Sequence, residues 1–322
     1  MYTNKAKMTY TVTKKQDILA TSQFTADVVR SQLEDLISYA CASGADFIEI
    51  FIEDSDFIGL LSEQDAITSV NPSFSKGVGI RIFKDKKDGF VSTNDLTRTG
   101  LIYAIDQALG MLGLINSKIS SDRFSGLNDL KNYSGSKDQL TSITPTIDNV
   151  GIKLLQATSL LNKEGKHVQS RRGNYSRSIQ EVLVASSDGT FARDIRLHQS
   201  YGLNLIVSDK SNSSSIGRRL GSYSQPTDFL NWNIEKTVDE IVESSDKMLY
   251  ANYVEAGQFP VILANKFGGV IFHEACGHLL ETTQIERGTT PFINKLGKQI
   301  ANTAVTAVDE GFTEGAFGSL SM

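Results

Sequence analysis

Between Lys166 and Tyr223 the sequence abandons helical period, and this long β-patterned stretch constrains the fold more than any other feature. Alternating runs predict strands at His167–Tyr175, Ser178–Ser186, Thr190–Val207 and Ile216–Tyr223. Ser187-Asp188-Gly189 is a hairpin-type turn between two of them. Asp209–Ser215 (DKSNSSS) is a second turn, too polar to enter a core. A β-rich middle unit follows from these runs.

Helical period flanks it on both sides. In Ala26–Ser43 the apolar residues Val28, Val29, Leu33, Leu36, Ile37, Ala40 and Cys41 recur at helical spacing, and Gly44 supplies a stop. Asp46–Glu53 (DFIEIFIE) then alternates as a strand, Phe57–Glu63 predicts another, and GVGIRIF and GFVST flank the charged turn Lys84–Asp88 as a hairpin. Helices are predicted over Leu101–Leu112, Thr146–Asn162 and Asn233–Tyr250, and Gly257–Leu263 (GQFPVIL) reads as a short buried strand. The fold class is α+β. Its expected parts are a leader over 1–22, an N-terminal α/β unit over 23–115 and the β-rich unit over 116–230. A C-terminal unit over 231–322 carries the His-bearing helix.

Composition narrows the function classes. The 322 residues hold 32 Lys+Arg against 37 Asp+Glu, a net charge of −5, which argues against nucleic acid as a partner. The basic pairs Arg171-Arg172 and Arg218-Arg219 read as solvated edges or peptide-carboxylate contacts, without the interleaved aromatics of a phosphate track. Two cysteines, Cys41 and Cys276, make no disulfide framework. No apolar run reaches the ~20 residues of a membrane span. The first residues lack an apolar signal region, so a cytoplasmic location is expected.

Two of the four histidines stand in one pattern, His273-Glu274-x-x-x-His278. Imidazoles are ligands for Zn²⁺, and an adjacent carboxylate can take a proton from an activated water, which is the chemistry of metal-assisted hydrolysis. The spacing is unusual. Ligands four apart on an α-helix are offset by about 40°, whereas ligands five apart are offset by about 140°. A shared metal therefore predicts a widened or broken helix between His273 and His278, with Gly277 as the residue that permits it. The alternative is two inert, hydrogen-bonded histidines on a buried helix. Cys276 reads as a small buried hydrophobe, and His167 and His198 as ordinary residues of the β region.

The run GGVIFHEACGHLLE (Gly268–Glu281), continued by GTTPFINKLGKQIANTAVTAVDEG (Gly288–Gly311) and GAFGS (Gly315–Ser319), resembles the TldD/PmbA family of metalloproteases, also called modulator of DNA gyrase. The order of the upstream elements is similar as well. The resemblance implies a zinc peptidase acting on peptides or unfolded segments. It implies His273 and His278 as metal ligands, Glu274 as general base, and a TldE/PmbA-like subunit without the motif as heterodimer partner. It also implies a third ligand, a cysteine near the end of a longer chain. No cysteine follows Cys276, so the 322 residues are expected to lack the back part of the catalytic domain. Glu281, three after His278, is a carboxylate whose place on the same helix makes a facial arrangement hard, and Glu286, Asp309, Glu310 and Glu314 read better as surface charge than as substitute ligands. A non-catalytic peptide-binding or scaffold chain is the second hypothesis.

Overall fold

The computed structural model describes residues 26–114, 124–133, 137–162, 167–265, 267–314 and 316–319. The expected leader and part of the polar stretch after residue 115 lie outside the described residues. Among the described residues, those up to Leu249 together with 311–314 and 316–319 form one compact unit, and those from Tyr250 to Glu310 form a second.

The first unit is built on one sheet of long strands. After helix α1 (Ala26–Ala42) come β1 (Phe47–Glu63), β2 (Ala66–Lys84) and β3 (Lys87–Thr93). Helix α2 (Arg98–Met111), the two-residue β4 (Lys131–Asn132), α3 (Lys137–Ile143) and α4 (Ile147–Leu160) follow. Then come β5 (Val168–Ser186), β6 (Phe191–Ser208), β7 (Ser213–Tyr223) and α5 (Ile234–Leu249). The order across the sheet is β3-β2-β1-β5-β6-β4, with β7 also on β6, and all pairings are antiparallel except β4 on β6. This is a mixed α+β fold with an N-terminal helix and a β-rich sheet.

Each strand read as two short ones is a single long one. β1 runs through the polar Asp54-Ser55-Asp56 that looked like a break, because one strand serves two cores. Its even-numbered residues face the helices throughout. Ile48, Ile50 and Ile52 pack with α1 and α2, while Ile58 and Leu60 pack with α4 and α5. Between the two cores the small cluster Ile179, Ile195 and Leu197 meets Leu140 of α3. Asp54 and Asp56 lie on the stretch between the two larger cores, and Lys76 approaches Asp54 at 3.8 Å. At ~3.3 Å per residue such a strand is about 55 Å long, enough for successive helix layers.

Local chemistry sets the ends. The β2–β3 turn places Asp85 and Lys86 at φ 49° and 65°, the paired left-handed geometry of a two-residue hairpin. Thr97 and Thr146 cap α2 and α4 by accepting from the N–H groups of Gly100 and Asn149. Leu154 of α4 is fully buried over Gly173, where a Cβ would stand 2.9 Å from Leu154 Cδ1 and 2.6 Å from Ser62 Oγ.

Two sequence expectations are corrected. Arg171 is not solvated: it is 7 % exposed, its guanidinium donates to both carboxylate oxygens of Asp65 and to Gln64 Oε1, and it holds the Asp65 carboxyl below its usual range. Arg172 pairs with Glu63, and Arg218 with Glu240. Gly257–Leu263 is not a buried strand but an irregular segment with Ile262 97 % exposed. Its apolar run resembles a strand, yet a strand persists only on a ladder, and no described segment pairs with it.

His198 lies on the sheet face opposite the helices. Its ring packs on Tyr223 at 5.0 Å and on Phe317 at 5.6 Å. Gly221 leaves room for Phe317, whose Cδ2 would be 2.8 Å from a Cβ there. Partial burial, then the charge of Arg196, holds the His198 pKa below its ordinary 6.5. Among the described residues no helix is long and apolar enough to cross a membrane.

Two outcomes are expected. Leu154→Ala should lower the unfolding free energy by about 2–5 kcal/mol, read by urea denaturation, because the sheet beneath it cannot close over the void. For His198, the unfolded chain binds the proton first as pH drops below about 6.5, so acidification destabilises the fold until the depressed folded-state value is passed. The thermal midpoint of His198→Gln should therefore fall less than that of the native chain between pH 7 and pH 5.

Candidate metal centre

Helix α6 (Phe267–Phe272) opens the motif, and its regular winding stops at the first histidine. His273–Gly277 is a π turn, and the N–H of His278 donates to the C=O of His273. That i→i+5 bond joins the two motif histidines themselves. The added residue per turn removes most of the ~140° offset that an α-helix would impose. The two rings come to 4.5 Å between centroids, edge to face at 66°.

Gly277 acts differently from expectation. Its φ of −57° and ψ of −54° are ordinary right-handed values, open to any residue. A Cβ there would sit 3.5 Å from His273 Nδ1, so the glycine leaves space beside that ring and supplies no special backbone conformation.

After the wide turn comes a tight one. His278–Leu280 is a 3₁₀ turn, and the chain leaves it at Glu281 with φ −64° and ψ 139°. In 3₁₀ geometry residues three apart eclipse. Glu281 accordingly lies beneath His278, with Oε1 2.6 Å from Nδ1. From the other side Glu274 Oε2 approaches His278 Nε2 at 3.6 Å. Glu281, by hydrogen bond and by charge, raises the His278 pKa above its ordinary 6.5, and Glu274 adds to this. Thr290 anchors the following loop by donating from Oγ1 to Leu279 O at 2.6 Å, and is itself 5 % exposed.

His273, Glu274 and His278 each offer one donor atom, and these atoms lie within 4.8 Å of one another. All three side chains are exposed. Two imidazoles and a carboxylate are a donor set that suits zinc. Among the described residues no further His, Cys, Asp or Glu completes the group. Cys276 is a free, half-buried thiol inside the π turn. The sequence singles out Glu281 as a carboxylate near His278 but does not show its contact with Nδ1. The signal available was its spacing of three from His278, which becomes informative only once the turn is known to be 3₁₀.

Comparison with known proteins gives one consistent family. Residues 48–112 match PmbA/TldA metallopeptidase domain 1, residues 145–249 the central domain, and residues 256–322 the C-terminal domain. The Metalloprotease TldD homolog of Buchnera aphidicola subsp. Acyrthosiphon pisum is 24% identical over 297 residues, covering 88% of this chain and 59% of the relative. That of Haemophilus influenzae is 26% identical over 296 residues, covering 86% and 58%. The chain thus spans about 60% of the length of these relatives. In fold it is similar to a putative modulator of DNA gyrase from Thermotoga maritima, with TM-score 0.62 and 15% identity over 84% of this chain and 60% of that one. It is also similar to TldE from Thermococcus kodakarensis, with TM-score 0.56 and 18% identity over 82% and 58%. Three successive domain matches in the family's order, with the His-Glu-x-x-x-His pattern inside the last, establish that the chain belongs to the TldD/PmbA metallopeptidase family.

Proposed function

We propose that the chain is the catalytic, TldD-type part of a zinc peptidase acting on peptides or unfolded segments. The observation that supports this reading is the hydrogen bond from His278 N–H to His273 C=O, which closes a π turn on which donor atoms of His273, Glu274 and His278 lie within 4.8 Å of one another.

His273 and His278 would hold the ion. Zinc at such a site supplies Lewis acidity toward a peptide carbonyl and lowers the pKa of water. Glu274 then acts as general base: its carboxylate takes the proton of the attacking water and passes it to the leaving amine nitrogen. Its approach to His278 Nε2 at 3.6 Å keeps it on the donor side of the ring, where that water is needed. The third protein ligand is assigned, by family resemblance, to a cysteine of the longer protein. A motif-less TldE/PmbA-like subunit is the proposed partner, and the cytoplasm the proposed location.

A non-catalytic, peptide-binding role for these 322 residues is the second reading. It is favoured by one observation: the donor group comprises three exposed residues among those described.

Cleavage of an unstructured peptide such as casein, together with zinc content, separates the two. In the full-length protein paired with its motif-less subunit, Glu274→Gln should lower kcat by about 10²–10⁴-fold with zinc retained. His273→Ala should lose the zinc and the cleavage together. Hydrolysis that persists after chelation would dismiss the peptidase assignment, while zinc binding without hydrolysis in the paired protein would favour the second reading.

A further inference from the structure

Glu281 is a charged group in contact with the candidate site that the peptidase mechanism does not use. It occupies the N-cap position of helix α7 (Thr282–Glu286), where a side-chain oxygen ordinarily accepts from the first N–H groups of a helix. Glu281 makes no such capping bond. Its carboxylate turns back to His278, with Oε1 2.6 Å from Nδ1. A carboxylate acceptor requires Nδ1 to carry the proton, so the lone pair of the neutral ring is on Nε2. Nε2 is also the nitrogen that Glu274 approaches. The ring is therefore bracketed, with one carboxylate on each nitrogen. Glu281 does not belong to the group of donor atoms that lie within 4.8 Å of one another.

Building on the reading of His273 and His278 as a metal site, we propose that Glu281 is the positioning residue of that site. It orients the His278 ring, fixes its Nδ1–H tautomer and leaves Nε2 as the donor. The backbone makes this arrangement local and repeatable. The π turn aligns residues five apart and so presents His278 to His273, and the 3₁₀ turn aligns residues three apart and so presents Glu281 to the far side of the same ring. Carboxylates that hold the outer nitrogen of a ligating histidine change metal affinity by about 10–100-fold.

The test uses Zn²⁺ alone, in competition with a chromophoric chelator, on the full chain and on Glu281→Ala, Glu281→Gln and His278→Ala. Glu281→Ala is expected to weaken zinc binding by about 10–100-fold, with an unchanged thermal midpoint because the side chain is half-exposed. Glu281→Gln should recover most of the affinity, since its amide oxygen can still accept from Nδ1–H. A glutamine that behaves like alanine would identify Glu281 as a metal ligand and overturn the positioning role. A second readout needs no metal. Long-range ¹⁵N–¹H spectra of the zinc-free protein, recorded where His278 is neutral, should show the Nδ1–H form in the native chain and a mixture in Glu281→Ala. Unchanged spectra and unchanged affinity in Glu281→Ala would overturn the proposal. Failure of the metal-site reading has its own signature: the native chain and His278→Ala then bind zinc equally, and the spectra still decide whether Glu281 sets the tautomer.

Discussion

One backbone hydrogen bond underlies the candidate site. The N–H of His278 reaches past the usual i−4 acceptor to the C=O of His273. Regular α-helical winding would turn the two rings about 140° apart, and no side-chain rotation corrects so large an offset. A π turn forfeits the tighter helical bonding of its neighbours, which is why it is rare in general and frequent at functional sites. Here the wide turn and the narrow turn after it are adjacent, and each brings one partner to His278. The site's order thus comes from how the backbone is wound, with the side chains following.

The sheet of the first unit works on a different principle. Its strands are long enough for one face to serve successive helix layers, with α1 and α2 at one end and α4 and α5 at the other. Polar residues gather on β1 between the two cores. The opposite face carries exposed aromatics such as Phe57 and Phe90. Towards β6 and β7 that face receives Phe312 and Phe317 from the C-terminal segment, against Tyr223 and His198.

Much of this was legible in the sequence, for reasons that are local. Helix α5 follows from its apolar stripe, the β2–β3 hairpin from its charged turn, and the β5–β6 turn from Ser187-Asp188-Gly189. The distortion between His273 and His278 follows from the spacing once both rings are taken to share one ion, since an undistorted α-helix turns them about 140° apart. What was not legible depends on partners distant in the chain. Asp54-Ser55-Asp56 reads as a break because the second core, built around α4 and α5, is invisible from residue 56. Arg171 reads as solvated because Asp65, its partner, is 106 residues away. GQFPVIL reads as a strand because composition cannot report whether a ladder is available. Glu281 reads as awkwardly placed on the same helix because a 3₁₀ turn has no distinctive composition.

The pairing of β1 with β5 has a consequence for how the chain comes to be folded. Glu49 pairs with Ser186 and Glu63 with Arg172, so β1 meets its second neighbour only after more than a hundred intervening residues have been made. Until then the hairpins of β1, β2 and β3 emerge from the ribosome with an unsatisfied edge along the whole of β1. Nascent chains of this topology close slowly, since the loop entropy is lost before the ladder forms. The interval between synthesis of residue 63 and residue 186 is therefore the period in which that edge of β1 has no ladder to join.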